Sequence, residues 1–299
     1  ISRGLVGSEM CIRDSCYSNK RLVDNIINFK NSFKSFNPLI CFSVKSNYNS
    51  TILRIIKEHG LGADVVSDGE LKKVLSLGFK PNRIVYSGVG KKFEELKFAI
   101  RKNILLINVE SESELKNIKK IAEKFGKKVS VGLRLNPNID AKTNTKISTG
   151  RIQDKFGLNG NDIIRILNKF KNSRNIKIKC LSVHIGSQIT QNKPYNNVLI
   201  AINKILSKSK YKFEYIDLGG GMGIKYIKDN KKLDYSKLSK NIHKFSKRNN
   251  CKIIFEPGRS IVGNTAVLLT KVIYIKNSSK KKFIIIDAGM NDLIRPALY

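Results

Sequence analysis

The sequence predicts an α/β protein, a (β/α)8 TIM barrel followed by the start of a truncated, β-rich C-terminal domain. Three observations carry this prediction. Continuous apolar runs recur along the 299 residues, with helix-like stretches between them. Eight such strand–helix units are the number found in a TIM barrel. After residue 260 the pattern changes, because two strand-like runs follow each other without an intervening helix.

The strands are predicted from apolar runs that are mostly continuous rather than alternating. Parallel strands covered on both faces have this pattern. The predicted strands are 39–44, 63–67, 83–87, 105–109, 129–135, 180–185, 215–218 and 253–256. A Rossmann-type sheet is the alternative, but no GxGxxG sequence follows an early strand.

The helices between the strands are predicted from apolar periodicity together with start and stop residues. Ser111 opens one helix with a capping-box-like sequence, and glycines at positions 60, 78 and 126 follow the ends of three helices. The predicted helices are 51–59, 68–77, 111–125, 161–170, 196–207 and 235–248.

The two ends of the chain do not fit the barrel pattern. Residues 1–15 match no periodicity and resemble translated sequencing-adaptor sequence, so we predict that they are not native. Residues 16–262 are assigned to the barrel. The runs 266–276 and 282–287 are assigned to a second domain, 263–299, whose further strands we expect beyond Tyr299.

The net charge of +34 arises from 57 Lys+Arg against 23 Asp+Glu. The lysines are spread through nearly every helix-like segment, and no arginine-rich block or zinc-type spacing appears. We therefore expect no nucleic-acid partner, although charge alone keeps that interpretation open. No apolar run approaches the ~18–20 residues of a membrane span, and we expect a cytoplasmic protein without a membrane partner.

Five cysteines occur without any CxxC pair. Three of them, Cys41, Cys180 and Cys251, lie in or beside strand-like runs. We predict that these are buried, reduced thiols, and we expect neither disulfides nor a metal site.

Four groups that carry chemistry lie at the ends of predicted strands. They are Lys45, His184, the glycine run at 219–221, and Glu256 with Arg259. A lysine amine can bond to the aldehyde of pyridoxal phosphate, and glycine N–H groups can hold a phosphate. Each group alone has a simpler explanation: a surface lysine, a core histidine, a tight turn and a structural ion pair.

The combination is more informative than its parts. Glu256 would face the pyridine nitrogen, where a carboxylate keeps the ring protonated and able to accept electrons. His184 would lie flat against the ring, and Ser187 would add a hydroxyl near the phosphate. Together these residues predict a site for pyridoxal 5'-phosphate.

These residues lie in motifs that resemble the fold type III decarboxylases that use pyridoxal phosphate. The motifs are Phe-Ser-Val-Lys-Ser-Asn at 42–47, Gly-Ala-Asp-Val-Val-Ser at 62–67, His-Ile-Gly-Ser-Gln at 184–188, Leu-Gly-Gly-Gly-Met-Gly at 218–223 and Glu-Pro-Gly-Arg-Ser-Ile-Val at 256–262. The segments 147–150, 155–157 and 287–299 are similar to the diaminopimelate decarboxylases of that family. The resemblance covers residues 16–299.

The resemblance implies a role for each matching residue. Lys45 would form the Schiff base and His184 would stack on the ring. The phosphate would be held by Ser187, Gly219, Gly220 and Gly221, with Gly258 and Arg259 nearby, and Glu256 would pair with the ring nitrogen. Substrate carboxylates would be bound by Arg259, Arg295 and Tyr299, since guanidinium groups grip carboxylates bidentately.

The implied reaction is decarboxylation of meso-2,6-diaminopimelate to L-lysine and CO2, within a homodimer. A cysteine from the partner subunit's C-terminal domain is thought to reprotonate Cα in this family. The family places it in a Cys-Glu-Ser-Gly stretch that residues 1–299 do not contain. We therefore expect this fragment to bind cofactor weakly and not to turn over.

Two other functions stay open. An enzyme on the same scaffold could act on ornithine, arginine or a carboxypolyamine, and Arg295 is the discriminating residue because a second substrate carboxylate calls for a cation. A non-catalytic pyridoxal-phosphate-binding barrel is the other, against which the β-run after residue 263 argues.

Overall fold

The structure is a computed structural model that describes residues 14–141, 147, 149–226 and 233–293. Its strands are β1 Asp14–Tyr17, β2 Leu39–Ser43, β3 Gly62–Val65, β4 Ile84–Tyr86, β5 Leu106–Val109, β6 Val129–Arg134, β7 Ile176–Ser182, β8 Tyr215–Asp217, β9 Lys252–Phe255, β10 Ala266–Leu269, β11 Val272–Asn277 and β12 Lys282–Ile286. Its α-helices are α1 Asn19–Ser32, α2 Ser50–Glu58, α3 Asp68–Ser76, α4 Phe93–Arg101, α5 Glu112–Lys124, α6 Gly160–Phe170, α7 Asn192–Ser209, α8 Tyr235–Asn249 and α9 Arg259–Val262.

Strands β2 to β9 form a closed parallel barrel in chain order, which confirms the predicted fold class. The barrel closes where β2 pairs with β9, with Ile40 opposite Phe255. Helices α2 to α8 each connect two consecutive barrel strands. No helix in the described ranges is long and apolar enough to cross a membrane.

Local sequence explains where the connecting helices begin. Asn49, Ser67 and Ser111 have extended backbones, and their side chains accept hydrogen bonds from N–H groups of the first turn of α2, α3 and α5. These contacts satisfy donors that have no partner within the helix. In α3 the Glu70 side chain also accepts a hydrogen bond from the residue before the cap, because Val66 N–H donates to Glu70 Oε2 at 2.9 Å.

Among the described residues, three α-helices were not predicted from the sequence: α1, α4 and the four-residue α9. The buried stripe of α1 is narrow: Leu22, Ile26 and Phe29 are buried, and the residues between them are Val-Asp-Asn and Ile-Asn, none of which is fully buried. This helix packs against α8 and α9 and so takes the place of the eighth helix of the barrel. Helix α4 is nine residues long, like α2 and α3, but Asn103 rather than a glycine takes the positive-φ position after its end, so the glycine stop signal is missing.

After the barrel, the predicted β-rich segment is present as antiparallel strands. The run predicted as one strand at 266–276 is two strands with different partners, and between them Lys271 N–H donates to Asp287 Oδ1 at 2.9 Å. Strand β11 pairs with β12, whereas β10 pairs with β1. Asp14 and Ser15, assigned above to the non-native segment, are the first residues of β1.

The barrel interior has an apolar floor and a polar upper layer. The floor consists of Cys41, Val85, Leu106, Cys180 and Ile254, all fully buried. The upper layer contains buried polar side chains from several strands: Ser43, Asp64, Ser87, Asn108, Glu110, Arg134, Ser182, Asp217 and Glu256. The thiols of Cys41, Cys180 and Cys251 are free and buried, as predicted, and Cys16 is free and exposed.

We expect the aromatic cluster beneath α1 to be a main source of stability. Phe33 is fully buried and its ring centroid lies 4.6 Å from that of Phe255 and 5.0 Å from that of Phe29. Phe33→Ala should therefore lower the free energy of unfolding by about 3–5 kcal/mol. Ile27→Ala, on the exposed side of α1, is the matched control. Equal denaturant midpoints for the two variants would contradict the packing role of Phe33.

Candidate active site

Lys45 lies at the mouth of the barrel, on the single 3-10 turn Val44–Ser46 that follows β2. Hydrogen bonds fix this turn at both ends. Ser43 N–H donates to Pro257 O at 3.0 Å, and Ser46 Oγ donates to Ser43 O at 2.7 Å. The side chain of Lys45 is exposed to solvent at this mouth. Burial raises the pKa of the carboxyl groups of Asp64 and Glu256, and the nearby positive charge of Lys45 opposes this rise, so the three residues act on one another around one chamber.

His184 lies two residues beyond β7, on the opposite side of the same chamber. Gly220 N–H donates to its Nδ1 at 3.2 Å, so this nitrogen carries the lone pair and the ring proton is on Nε2. Burial, and then the charges of Lys45 and Arg134, lower the pKa of His184 well below its ordinary value. The geometry and the surrounding charge both favour a neutral imidazole.

Glu256 follows β9 directly and its side chain is buried. Its backbone N–H donates to Gly219 O at 2.8 Å, and Ser87 Oγ donates to its Oε1 at 3.4 Å. Burial, and then the charges of Asp217 and Asp64, raise the pKa of Glu256 well above its ordinary value. The carboxyl group therefore binds its proton firmly until a cation approaches it.

Neighbouring backbone atoms fix the shape of the glycine turn after β8 and leave no room for side chains there. A Cβ on Gly220 would lie 2.1 Å from Glu256 O, and one on Gly221 would lie 2.3 Å from Gly186 O. Gly219 and Gly221 also have positive φ angles, of 62° and 87°. The N–H groups of Gly219 and Gly220 already donate, to Asp217 Oδ1 and His184 Nδ1, so they are engaged within the protein.

Arg259 begins the short helix α9, beside Gly258. Its guanidinium donates to the hydroxyl of Tyr226, and lies 5.8 Å from the centre of that ring. Its Nε is buried and has no partner among the described residues. Ser187 is partly buried, three residues beyond His184. The other two predicted substrate residues, Arg295 and Tyr299, lie outside the described residues.

Sequence reasoning missed the polar residues that line the chamber, chiefly Asp64, Asn108, Arg134 and Asp217. Asn108 Nδ2 donates to Ser87 Oγ at 3.2 Å and to Asp217 Oδ2 at 3.1 Å. Ser43 Oγ donates to Asp64 Oδ2 at 2.8 Å. Each missed residue is a single polar side chain inside an apolar run. The polar residue that interrupts each apolar run was the available signal, because polar side chains are rarely buried in a strand unless they have a partner.

A connected series of buried charged residues stabilises the β4 to β6 side of the mouth. Lys91 Nζ donates to Gly88 O, to Asn108 O and to Glu114 Oε1, at 2.6 to 2.8 Å. Glu114 accepts from Glu110 N–H at 2.8 Å, and Glu110 pairs with Arg134 at 2.6 Å. Arg134 is thereby fixed near His184 and Asp64, on whose pKa values it acts.

The arrangement suits a ligand that has an aldehyde, a flat ring and a basic ring nitrogen. An accessible amine, a neutral imidazole and a buried carboxyl group face one chamber, and they match these three parts in turn. Asp64 Oδ1 is buried without a partner among the described residues, so the chamber also has an unused acceptor. The residues present therefore fit pyridoxal phosphate.

Comparison with known proteins agrees with this chemistry. The family described as "Pyridoxal-dependent decarboxylase, pyridoxal binding domain" matches residues 19–263. Diaminopimelate decarboxylase of Zymomonas mobilis is 42% identical over 265 residues, which are 87% of this chain and 63% of that protein. The enzyme of Aquifex aeolicus is 39% identical, over 95% of this chain and 68% of that protein.

Among solved structures, diaminopimelate decarboxylase from Helicobacter pylori complexed with L-lysine superposes with a TM-score of 0.91. It is 38% identical, and the match covers 96% of this chain and 73% of that chain. The chain thus spans about two thirds of the length of its curated relatives. It belongs to the pyridoxal-dependent decarboxylase family, among the diaminopimelate decarboxylases.

We expect His184 to stay neutral across the pH range in which an exposed imidazole titrates. Its folded pKa is depressed, so below about pH 6.5 the unfolded chain takes up a proton that the folded chain refuses, and stability falls with pH. Histidine side-chain NMR should show the Nε2–H tautomer of His184 down to the onset of unfolding, with His184→Gln used for assignment. A titration of this ring near pH 6.5 would contradict the neutral assignment.

Proposed function

We propose that this chain is the cofactor-binding part of a pyridoxal-phosphate-dependent decarboxylase that converts meso-2,6-diaminopimelate to L-lysine and CO2. The observation that carries the proposal is the meeting of Lys45, His184 and Glu256 around one barrel mouth. The relatives named above support the choice of reaction.

We propose that Lys45 holds the cofactor aldehyde, because its amine is accessible at the mouth and the turn beneath it is fixed. When bound, the cofactor supplies a protonated ring that accepts the electrons released at Cα. Glu256 faces the ring nitrogen and stabilises its positive charge. His184 packs against the ring, and its neutrality avoids repulsion between two cations.

The phosphate would be bound on the β7–β8–β9 side of the mouth. We assign it to Ser187, to Gly219, Gly220 and Gly221, and to Gly258 and Arg259. Because the first two glycines already donate within the protein, we expect Gly221 N–H and Ser187 Oγ to provide most of the direct contacts. The two preceding glycines shape the turn that presents these donors.

The substrate carboxylates would be bound by Arg259, Arg295 and Tyr299. Arg259 contacts the hydroxyl of Tyr226, a neutral partner that a carboxylate can displace. A second cation, at Arg295, would bind the far carboxylate of diaminopimelate. Ornithine lacks this carboxylate, so Arg295 distinguishes the proposed substrate from the substrates of other decarboxylases on this scaffold.

We further propose a division into a barrel domain, 16–262, and the beginning of a β-rich domain, 263–299. The family match over 19–263 and the change from parallel to antiparallel strands support it. We also propose a cytoplasmic homodimer in which the partner subunit completes the site. The positions of the buried cysteines among the described residues are consistent with this proposal. Burial raises the pKa of Cys41 and Cys180 well above the ordinary value, and these thiols lie in the floor of the barrel, where they cannot reach Cα.

We expect Lys45→Ala, made in the complete natural reading frame, to abolish CO2 release from diaminopimelate. Without this amine the cofactor has no covalent anchor, and the visible absorption of lysine-bound pyridoxal should disappear as well. Lys20→Ala is the control, because Lys20 is exposed on α1 and pairs only with Asp24 among the described residues. Retention of both signals in Lys45→Ala would eliminate the proposed site.

We expect Arg295→Glu to raise the KM for diaminopimelate at least ~100-fold, because a charge-paired contact becomes a like-charge repulsion. The kcat should change less than the KM does. Activity on ornithine, tested in parallel, should not fall in the same proportion. An unchanged KM for diaminopimelate would remove Arg295 from the site and reopen the choice among ornithine, arginine and carboxypolyamine substrates.

A further inference from the structure

Two buried carboxyl groups face each other beneath the proposed position of the ring nitrogen. Asp217 is the last residue of β8, and Glu256 follows β9 directly. The strands are neighbours in which Asp217 pairs with Ile254, two residues before Glu256, so both side chains enter the barrel. Ser87 and Asn108 connect the two groups, because Ser87 Oγ donates to Glu256 Oε1 at 3.4 Å and Asn108 Nδ2 donates to both Ser87 Oγ and Asp217 Oδ2. A hydrogen bond between the two carboxyl groups contributes to the pKa of each. Such a contact requires a proton on one of them.

The two carboxyl groups are unequally supplied with donors. Asp217 Oδ1 accepts from Gly219 N–H at 2.9 Å, and Oδ2 accepts from Asn108 Nδ2 at 3.1 Å. Glu256 accepts only the long bond from Ser87 Oγ, 3.4 Å, among the described residues. A negative charge is therefore better stabilised on Asp217 than on Glu256. Burial raises the pKa of Asp217 to about 6, and that of Glu256 is raised well above its ordinary value.

The remaining charges around the pair also oppose two carboxylates side by side. Asp64 of β3 raises the pKa of both groups. The buried thiols of Cys41 and Cys180 lie beneath them and provide no positive charge. Of the cations, Arg134 is paired with Glu110 at 2.6 Å, and Lys45 is shared between Asp64 and Glu256. The chamber therefore favours one negative charge on the pair rather than two.

We propose that Asp217 and Glu256 share a single proton, which is on Glu256 in the cofactor-free protein and moves to Asp217 when a positively charged pyridine nitrogen faces Glu256. The O–H bond of Glu256 breaks, that of Asp217 forms, and the pair keeps one negative charge throughout. No proton is exchanged with solvent. Asp217 is then a positioning residue, which allows Glu256 to become an anion. This inference rests on the proposed cofactor site.

The test is infrared difference spectroscopy of the full-length protein, labelled with 13C at the carboxyl carbon of either glutamate or aspartate. The C=O stretch of a protonated carboxyl group is separate from carboxylate bands, and the label shifts it. Without cofactor we expect a protonated glutamate band that Glu256→Gln removes. Adding pyridoxal phosphate should replace it with a protonated aspartate band that Asp217→Asn removes. Asp24→Asn, on exposed α1, is the control that leaves both bands in place.

The labelling experiment on unsubstituted protein needs no variant, so it tests the proton transfer even if Asp217→Asn folds poorly. Absence of the glutamate band without cofactor would overturn the proposal, as would its persistence after cofactor binding. If the cofactor binds and no aspartate band appears, the transfer is wrong while the proposed function stands. If the cofactor does not bind at all, the proposed function and the transfer fail together.

Discussion

The site depends on one electrostatic constraint: more acid than base is buried in the upper layer of the barrel. Asp64, Asp217 and Glu256 all enter the chamber, and burial raises the pKa of each. Lys45 is the cation that reaches this cluster from the mouth, because Arg134 is engaged by Glu110. Buried charges without partners are costly, so the chamber suits a ligand that carries positive charge on a flat ring.

The barrel converts this constraint into geometry. The apolar floor, which includes Cys41 and Ile254, closes the chamber from below. On the β4 to β6 side, hydrogen bonds of Lys91 and Glu110 hold the loops in place and fix Arg134. The tight approach of Gly220 to Glu256 O holds the glycine turn after β8 against Glu256, the residue that we propose faces the ring nitrogen. His184 is coupled to the same turn through Gly220 N–H. A change in any of these loops therefore alters the positions of several functional groups together.

Much of this arrangement could be predicted from the sequence. The eight parallel strands follow from continuous apolar runs, and Lys45, His184 and Glu256 were found because each comes at or just after the end of one. The pairing of these groups with Asp64, Asn108 and Asp217 could not be predicted, since a lone polar residue within a run looks like part of a strand. Ser87 and Glu256 are 169 positions apart, and only barrel closure brings them within hydrogen-bonding distance. Helix α1 was missed because its apolar stripe is a single row.

One lysine of this very basic chain is set apart from the others by the chamber beneath it. The most direct test is to incubate the protein with substoichiometric pyridoxal phosphate, reduce it with borohydride and map the modified lysine by mass spectrometry. We expect the label on Lys45, within the 42–47 segment, and we expect excess diaminopimelate to protect it. Label spread over the many surface lysines, or concentrated on one outside the barrel mouth, would contradict it.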